Sequence, residues 1–218
     1  EVNARGGEDV HITVYHGGTL GLKEAGILRT LKAGAVDMAV LYNEYYSRDA
    51  PELALLYVQG AITDGEDHMK AMSIVMPKAI EAYGKWGIKI VGGFSTRIFD
   101  IGLHCKEPVN TLEQLQGKKV RVWSGHQVET FRRLGITAQV IPQSEMYLAL
   151  QTGVIDCAVY LSAVAPAMSL GEVAKYEAFL HPLAAIPQLF AVSDRAWQKL
   201  TPEAQALLTE VGEAMLAE

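Results

Sequence analysis

The chain has 218 residues and a formal net charge of −6, from 25 acidic and 19 basic side chains. Half of its residues are hydrophobic and the mean hydropathy is +0.12. A chain of this length buries roughly 70–75% of its unfolded surface, enough for one large domain or two lobes. The acidic balance, with no cationic run longer than Lys118-Lys119 or Arg132-Arg133, argues against nucleic acid as a partner. No apolar run reaches 18 residues, so no membrane-spanning helix is expected.

Taken in chain order, Glu1-Val2-Asn3 reads as the end of a helix. His11–Tyr15 reads as a strand running into the turn Gly17-Gly18. The decapeptide Leu31–Val40 then matches Leu150–Val159 at Leu, Gly, Asp, Ala and Val. Each copy predicts a helix closed by a left-handed glycine, Gly34 or Gly153, and then a short buried strand. The second copy has a comparable lead-in: Lys119–Trp123 predicts a strand and Gly125 its turn. A unit repeated in this way predicts two related α/β lobes.

Between the copies a helix is expected near Gly65–Tyr83, with Thr63 and Glu66 at capping-box spacing. Pro77 is expected to kink or divide it. Ile88–Phe94 and Ile98–Cys105 read as strands, and Thr111, with Gln114 three residues on, opens a short helix closed by Gly117. Ala163–Tyr176 reads as mostly helical, Pro182 and Pro187 interrupt the next stretch, and Leu189–Val192 reads as a strand. Thr201 caps a last helix with Pro202 at its first position and a stripe of Leu200, Ala204, Leu207, Val211 and Met215. The chain is expected to cross between lobes twice, giving lobe I over 1–96, lobe II over 97–185 and a return to lobe I over 186–218. A cleft between such lobes suits a ligand on which the protein closes.

Enzyme signatures are mostly missing. There is no phosphate-binding loop, and Gly93-Phe94-Ser95-Thr96-Arg97 lacks the last glycine of a nucleophile elbow. The six histidines have no metal-helix spacing. Cys105 and Cys157 have no metal-ligand spacing and read as buried free thiols, or as one disulfide in an oxidising compartment. Ser124 and His126 could be written as nucleophile and base, but neighbours two apart on a turn are not expected to face each other. No catalytic residue, metal or cofactor is expected.

Arg121 stands apart. It lies within a strand, between Val120 and Val122, and alternation sends it to the same side as Lys119 and Trp123. The strand runs into a glycine turn, where open α/β sheets bind ligands, and an arginine there can grip a carboxylate through two parallel hydrogen bonds. A solvated strand edge is the plainer alternative. The aromatics Tyr15, Tyr42, Phe99, Trp123 and Tyr160 fall at or near strand ends, some as core and the rest as cleft walls.

A long block resembles a known family. It comprises Thr111-Leu112-Glu113-Gln114-Leu115, Gly117–Val122, Leu134-Gly135 and the run Ile141–Asp156, with Gly17–Gly21 and Gly34–Ala39 matching further upstream. These segments are similar to those of the solute-binding proteins of TRAP (tripartite ATP-independent periplasmic) transporters, DctP type, and the resemblance runs through essentially the whole chain. It implies a two-lobed periplasmic-binding-protein-like α/β fold in the periplasm. It also implies an organic acid bound in the interlobe cleft and delivered to the membrane permease. Arg121 maps onto the family's carboxylate-pairing arginine.

There are departures. Tyr160 stands where the family has a ligand-facing asparagine, and Trp123 where it has a proline. A second family arginine finds Asp100 at its place, with Arg97 three residues earlier. The expected ligand set is Arg121, Trp123, Tyr160, Arg97, Phe99, Tyr42 and Gln143, and its aromatic character leans toward an aromatic or otherwise apolar carboxylate. Set against the family, the chain lacks the leading strand and the closing segments, so it reads as part of a longer fold. An enzyme on the same fold and a receptor presenting its ligand to a sensor kinase are the competing readings.

Overall fold

The computed structural model describes residues 1–16, 19–54, 61–62, 64–95, 99–183 and 187–217. It opens with α1 (Val2–Arg5). The strand expected over 11–15 does not form. The Asn3 side-chain amide donates to the Ile12 carbonyl at 2.8 Å and accepts from the Ile12 N–H at 2.7 Å. With both backbone groups of Ile12 answered by a side chain, its alternating pattern has no ladder to join.

The first helix–glycine–strand unit follows as α2 (Ile27–Lys32) and β1 (Met38–Leu41), with Gly34 between them at φ 68°. A 3-10 turn, Asn43–Tyr46, leads to α3 (Pro51–Ala54). Then comes α4 (Gly65–Gly84), capped by Asp64, whose side chain accepts from the Asp67 N–H at 2.9 Å. The expected cap, Thr63, lies outside the described residues. Pro77 sits inside α4 without dividing it. A helix with His68, Ala79, Ala82 and Tyr83 buried gains enough from tertiary packing to outweigh a proline cost of about 3 kcal/mol.

Strands β2 (Ile88–Ser95) and β3 (Phe99–Cys105) follow, then α5 (Leu112–Leu115), β4 (Lys119–Val122), α6 (Gly125–Arg133) and β5 (Thr137–Val140). The second copy of the repeated unit is α7 (Gln143–Thr152), Gly153 at φ 80°, and β6 (Cys157–Leu161). A 3-10 turn over Ala165–Met168 and α8 (Leu170–Val173) are the only helical pieces described in the stretch read as mostly helical. Its end, Tyr176, instead opens β7 (Tyr176–Leu183). This strand pairs with β3 alone, and an edge position is where a sheet tolerates a residue such as Pro182. The chain ends with β8 (Pro187–Ser193), α9 (Asp194–Trp197) and α10 (Pro202–Ala217).

The strands make two sheets. One has the order β1-β8-β2, antiparallel throughout. The other has the order β5-β4-β6-β3-β7, with β4 parallel to β5 and β6, and β3 antiparallel to β6 and β7. The chain therefore leaves the first sheet after β2 and rejoins it at β8. Leu28, Leu31, Leu41, Tyr46, Leu53, Tyr83 and Leu189 form the core beside the first sheet. Ile101, Leu103, Val120, Val122, Phe131 and Val159 fill one layer beside the second, and Met146, Leu150, Ile155 and Leu170 another.

Two further expectations are corrected. Cys105 and Cys157 are not free: they face each other across β3 and β6, with Cα atoms 4.1 Å apart, and form a disulfide. The inner face of α10 carries Ala204, Leu208 and Gly212, while Met215 is exposed. A Cβ on Gly212 would lie 1.8 Å from the Val91 carbonyl oxygen, so the helix seats on β2 through two glycines, Gly212 against Gly92. That close approach sets the rotation of the helix.

Candidate ligand site

Arg121 is 0% exposed in the middle of β4, flanked by β5 and β6. Both faces of this strand are covered, so Val120 and Val122 are equally buried. The guanidinium donates from Nε to the Ile141 carbonyl at 2.9 Å and from Nη1 to the Val159 carbonyl at 3.0 Å. It donates from Nη2 to the Tyr45 hydroxyl at 2.8 Å. Ile141 lies just beyond β5 and Val159 within β6, so the neighbouring parallel strands hold the side chain in place. Tyr45 belongs to the turn after β1, in the other sheet's half of the molecule.

No carboxylate among the described residues pairs with this guanidinium. Arginine has five N–H donors, of which three are used here, leaving one on each terminal nitrogen. Burial draws the guanidinium below its ordinary pKa, while the Tyr45 and Tyr160 phenols and Glu24 act the other way. Burying a charge without a counter-charge is costly, and an anion at the two remaining donors would offset that cost.

Trp123 and Tyr160 lie on the guanidinium itself, with ring centroids 5.7 and 5.9 Å from Cζ. Both are largely buried, at 8% and 3% exposure. Desolvation pushes the Tyr160 phenol up to about 12, and it pushes Tyr45 to about 12 against the opposing field of Arg121. Tyr42, at the end of β1, is half-buried and its phenol is raised by burial and then by Glu24 and Glu44. Gln143 opens α7 two residues after Ile141, and its amide nitrogen lies 3.7 Å from the Met168 sulfur, not on Arg121. The Phe99 side chain and all of Arg97 lie outside the described residues. Tyr15 is exposed.

Three residues of the cluster were not in the expected set. Tyr45 is the hydroxyl partner of Arg121, from the turn after β1. Glu24 opens a 3-10 turn that packs on the Asn43–Tyr46 turn, and its Oε2 is buried with no hydrogen-bond partner. Glu44 is 4% exposed, also has an unpartnered buried oxygen, and is pushed up to about 7 by desolvation. Such an oxygen costs about 1–3 kcal/mol unless something answers it. Glu24 follows Lys23 and Glu44 follows Asn43, so neither stands in an apolar run that would mark it in the sequence. No spacing rule reads them, because the distance that matters runs across the two sheets.

Ser124 and His126 do meet, contrary to expectation: Oγ and Nε2 are 3.2 Å apart. Ser124 is the N-cap of α6 and accepts from the Gln127 N–H, which turns its hydroxyl back over the first helical turn toward His126. A shallow groove of about 500 Å³ along α10 is lined by Trp197, Gln205, Thr209, Glu210 and Glu213. Its described lining offers the carboxylates of Glu210 and Glu213 and no cation. Among the described residues no cluster of His, Cys, Asp and Glu could hold a metal ion, and no helix is long and apolar enough to cross a membrane.

The family model of the bacterial extracellular solute-binding proteins, family 7 (DctP), matches residues 1–217. A solute-binding protein of Sulfitobacter sp. strain NAS-14.1 is 29% identical over 212 residues, covering 94% of this chain and 62% of that protein. The YiiZ protein of Salmonella typhimurium is 26% identical over 212 residues, covering 95% and 64%. The fold is that of a TRAP periplasmic solute-binding protein from Chromohalobacter salexigens, solved with bound d-glucuronate: TM-score 0.86 at 23% identity, over all of this chain and 72% of that one. The chain thus spans somewhat under two thirds of the length of these two relatives. It belongs to the DctP family of bacterial extracellular solute-binding proteins.

Proposed function

We propose that the chain forms the ligand-closing part of a periplasmic receptor that captures an organic acid and passes it to the membrane permease of a TRAP transporter. The observation that carries this reading is Arg121: wholly buried, without a carboxylate partner, and with one N–H left on each terminal nitrogen. A ligand carboxylate is the group that completes it. The two sheets act as lobes, bounded at 1–96, 97–185 and 186–218, and Arg121 becomes accessible when Tyr45 swings away with the first lobe. Lys23 on one side and Glu145 of α7 on the other form a 2.5 Å ion pair that also has to part.

Trp123 and Tyr160 shield the guanidinium from water and raise its grip on an anion, while Tyr42 faces the ligand from the other lobe. Arg97, Phe99 and Gln143 are proposed for the same cleft. The aromatic surroundings favour a ligand with an apolar body over a fully hydroxylated sugar acid. The buried disulfide suits an oxidising compartment such as the periplasm.

The test is a thermal-shift and calorimetric screen of small carboxylates, repeated on Arg121→Ala. A ligand at 100 times its Kd stabilises the fold by about 2.7 kcal/mol. The variant is expected to lose about 2–5 kcal/mol of binding, roughly 30- to 4000-fold in Kd. A ligand that binds the variant as tightly as the parent sinks the assignment.

A further inference from the structure

Glu24 lies between two ties that join the halves of the molecule. On one side the preceding residue, Lys23, is bound to Glu145 of α7 at 2.5 Å. On the other, the turn on which Glu24 packs carries Tyr45, which is bound to Arg121. Its Oε2 is buried and has no hydrogen-bond partner, and no ion pair joins it to Arg121. It lies within electrostatic reach of Arg121, Tyr42, Tyr45 and Tyr160.

A site with one buried cation and one buried, unanswered carboxylate oxygen, not touching each other, has a definite preference in charge. A simple monocarboxylate answers Arg121 and leaves the buried Oε2 of Glu24 unanswered. A dicarboxylate adds a second negative group near Glu24. A ligand with a carboxylate at one end and a cationic nitrogen at the other answers both, and the complex closes with every charge paired. The faces of Tyr42 and Tyr45 suit the alkyl-ammonium part of such a ligand.

We infer that the ligand is a zwitterion, an amino, imino or quaternary-ammonium acid whose carboxylate binds Arg121 and whose cationic nitrogen binds Glu24. This rests on the carboxylate reading of Arg121 and extends it. Glu24 acts here as a selectivity residue: it decides which carboxylates are held, not whether the carboxylate end is held.

The experiment compares isosteric pairs by calorimetry on the 218-residue chain: glycine betaine with 3,3-dimethylbutyrate, proline with cyclopentanecarboxylate, and phenylalanine with 3-phenylpropionate. The zwitterion of at least one pair is expected to bind tenfold or more tightly than its uncharged-nitrogen-free partner. Glu24→Gln is expected to bring that pair within threefold by loosening the zwitterion and not the carboxylate-only member. Carboxylates that bind in an Arg121-dependent way with no advantage for any zwitterion overturn this inference and leave the carboxylate site standing. If neither member of any pair binds, or if Arg121→Ala changes nothing, both readings fall. A preference that survives in a folded Glu24→Gln protein also overturns the role of Glu24. The paired comparison on the parent chain decides the ligand class even if that variant does not fold.

Discussion

The Nη2 of Arg121 donates to the Tyr45 hydroxyl at 2.8 Å, a bond from the middle of the five-stranded sheet to the turn that follows the first strand of the other sheet. By this polar contact the first half of the molecule reaches the buried cation. Tyr45→Phe keeps the ring and removes the acceptor. Losing a hydrogen bond to a charged group costs about 1.5–3 kcal/mol. For a chain of this length each kcal/mol moves the melting point by about 2–4 °C. The unliganded variant is expected to melt several degrees lower, and an unchanged melting curve refutes the contact.

Glu44 gives the protein a pH signature. Burial pushes its carboxyl from 4.5 to about 7, so the folded chain holds a proton that the unfolded chain releases. Between those two values the native state binds more protons than the unfolded state, and stability falls as pH rises. Below about 4.5 the penalty is absent, and above about 7 it is complete, on the order of 3 kcal/mol for this fully buried group. Glu44→Gln is expected to raise the melting point at pH 8 relative to the parent and to gain much less at pH 5. Equal gains at both pH values contradict a buried, titrating Glu44.

The Cys105–Cys157 disulfide closes a loop across a sequence separation of 52. The loop-entropy relation assigns such a link about 4 kcal/mol. The double substitution Cys105→Ala with Cys157→Ala is expected to lower the melting point by about 8–16 °C. The parent, both sulfurs being buried, is expected to resist mild reductant until it unfolds. Free thiols titrated in the folded parent would disprove the link.

Gly212 admits no side chain. A Cβ there would meet the Val91 carbonyl oxygen at 1.8 Å, and both partners are backbone. Gly212→Ala is expected to lift the end of α10 from β2 and cost about 1–3 kcal/mol or more, read as a lower denaturant midpoint. Ala214→Gly, at an exposed position of the same helix, is expected to cost about 1 kcal/mol through propensity alone. A smaller loss at Gly212 than at this control rules out the glycine seat.

What the sequence carried by itself was the local grammar. Gly34 and Gly153 were readable as helix stops because only a residue without a Cβ takes a left-handed conformation freely, and both do so. Thr111 and Thr201 were readable as caps for an equally local reason, and each accepts the expected backbone N–H. Arg121 stood out because a charge between two valines in a buried strand needs a reason. The long block around it was specific enough to name the family.

What tertiary structure decided were relations between residues far apart in the chain. The segment 11–15 alternates like a strand, yet Asn3 satisfies both backbone groups of Ile12. The cysteines stayed open between free thiols and one disulfide because spacing along the chain says nothing about register, and β3 against β6 sets them face to face. Trp123 and Tyr160 were legible as aromatic; their place on the guanidinium required β4 and β6 to be neighbours. Tyr45, Glu24 and Glu44 carried no motif. Their importance comes from burial beside a distant cation, and burial belongs to the fold: a side chain loses its water only when a partner from elsewhere in the chain covers it.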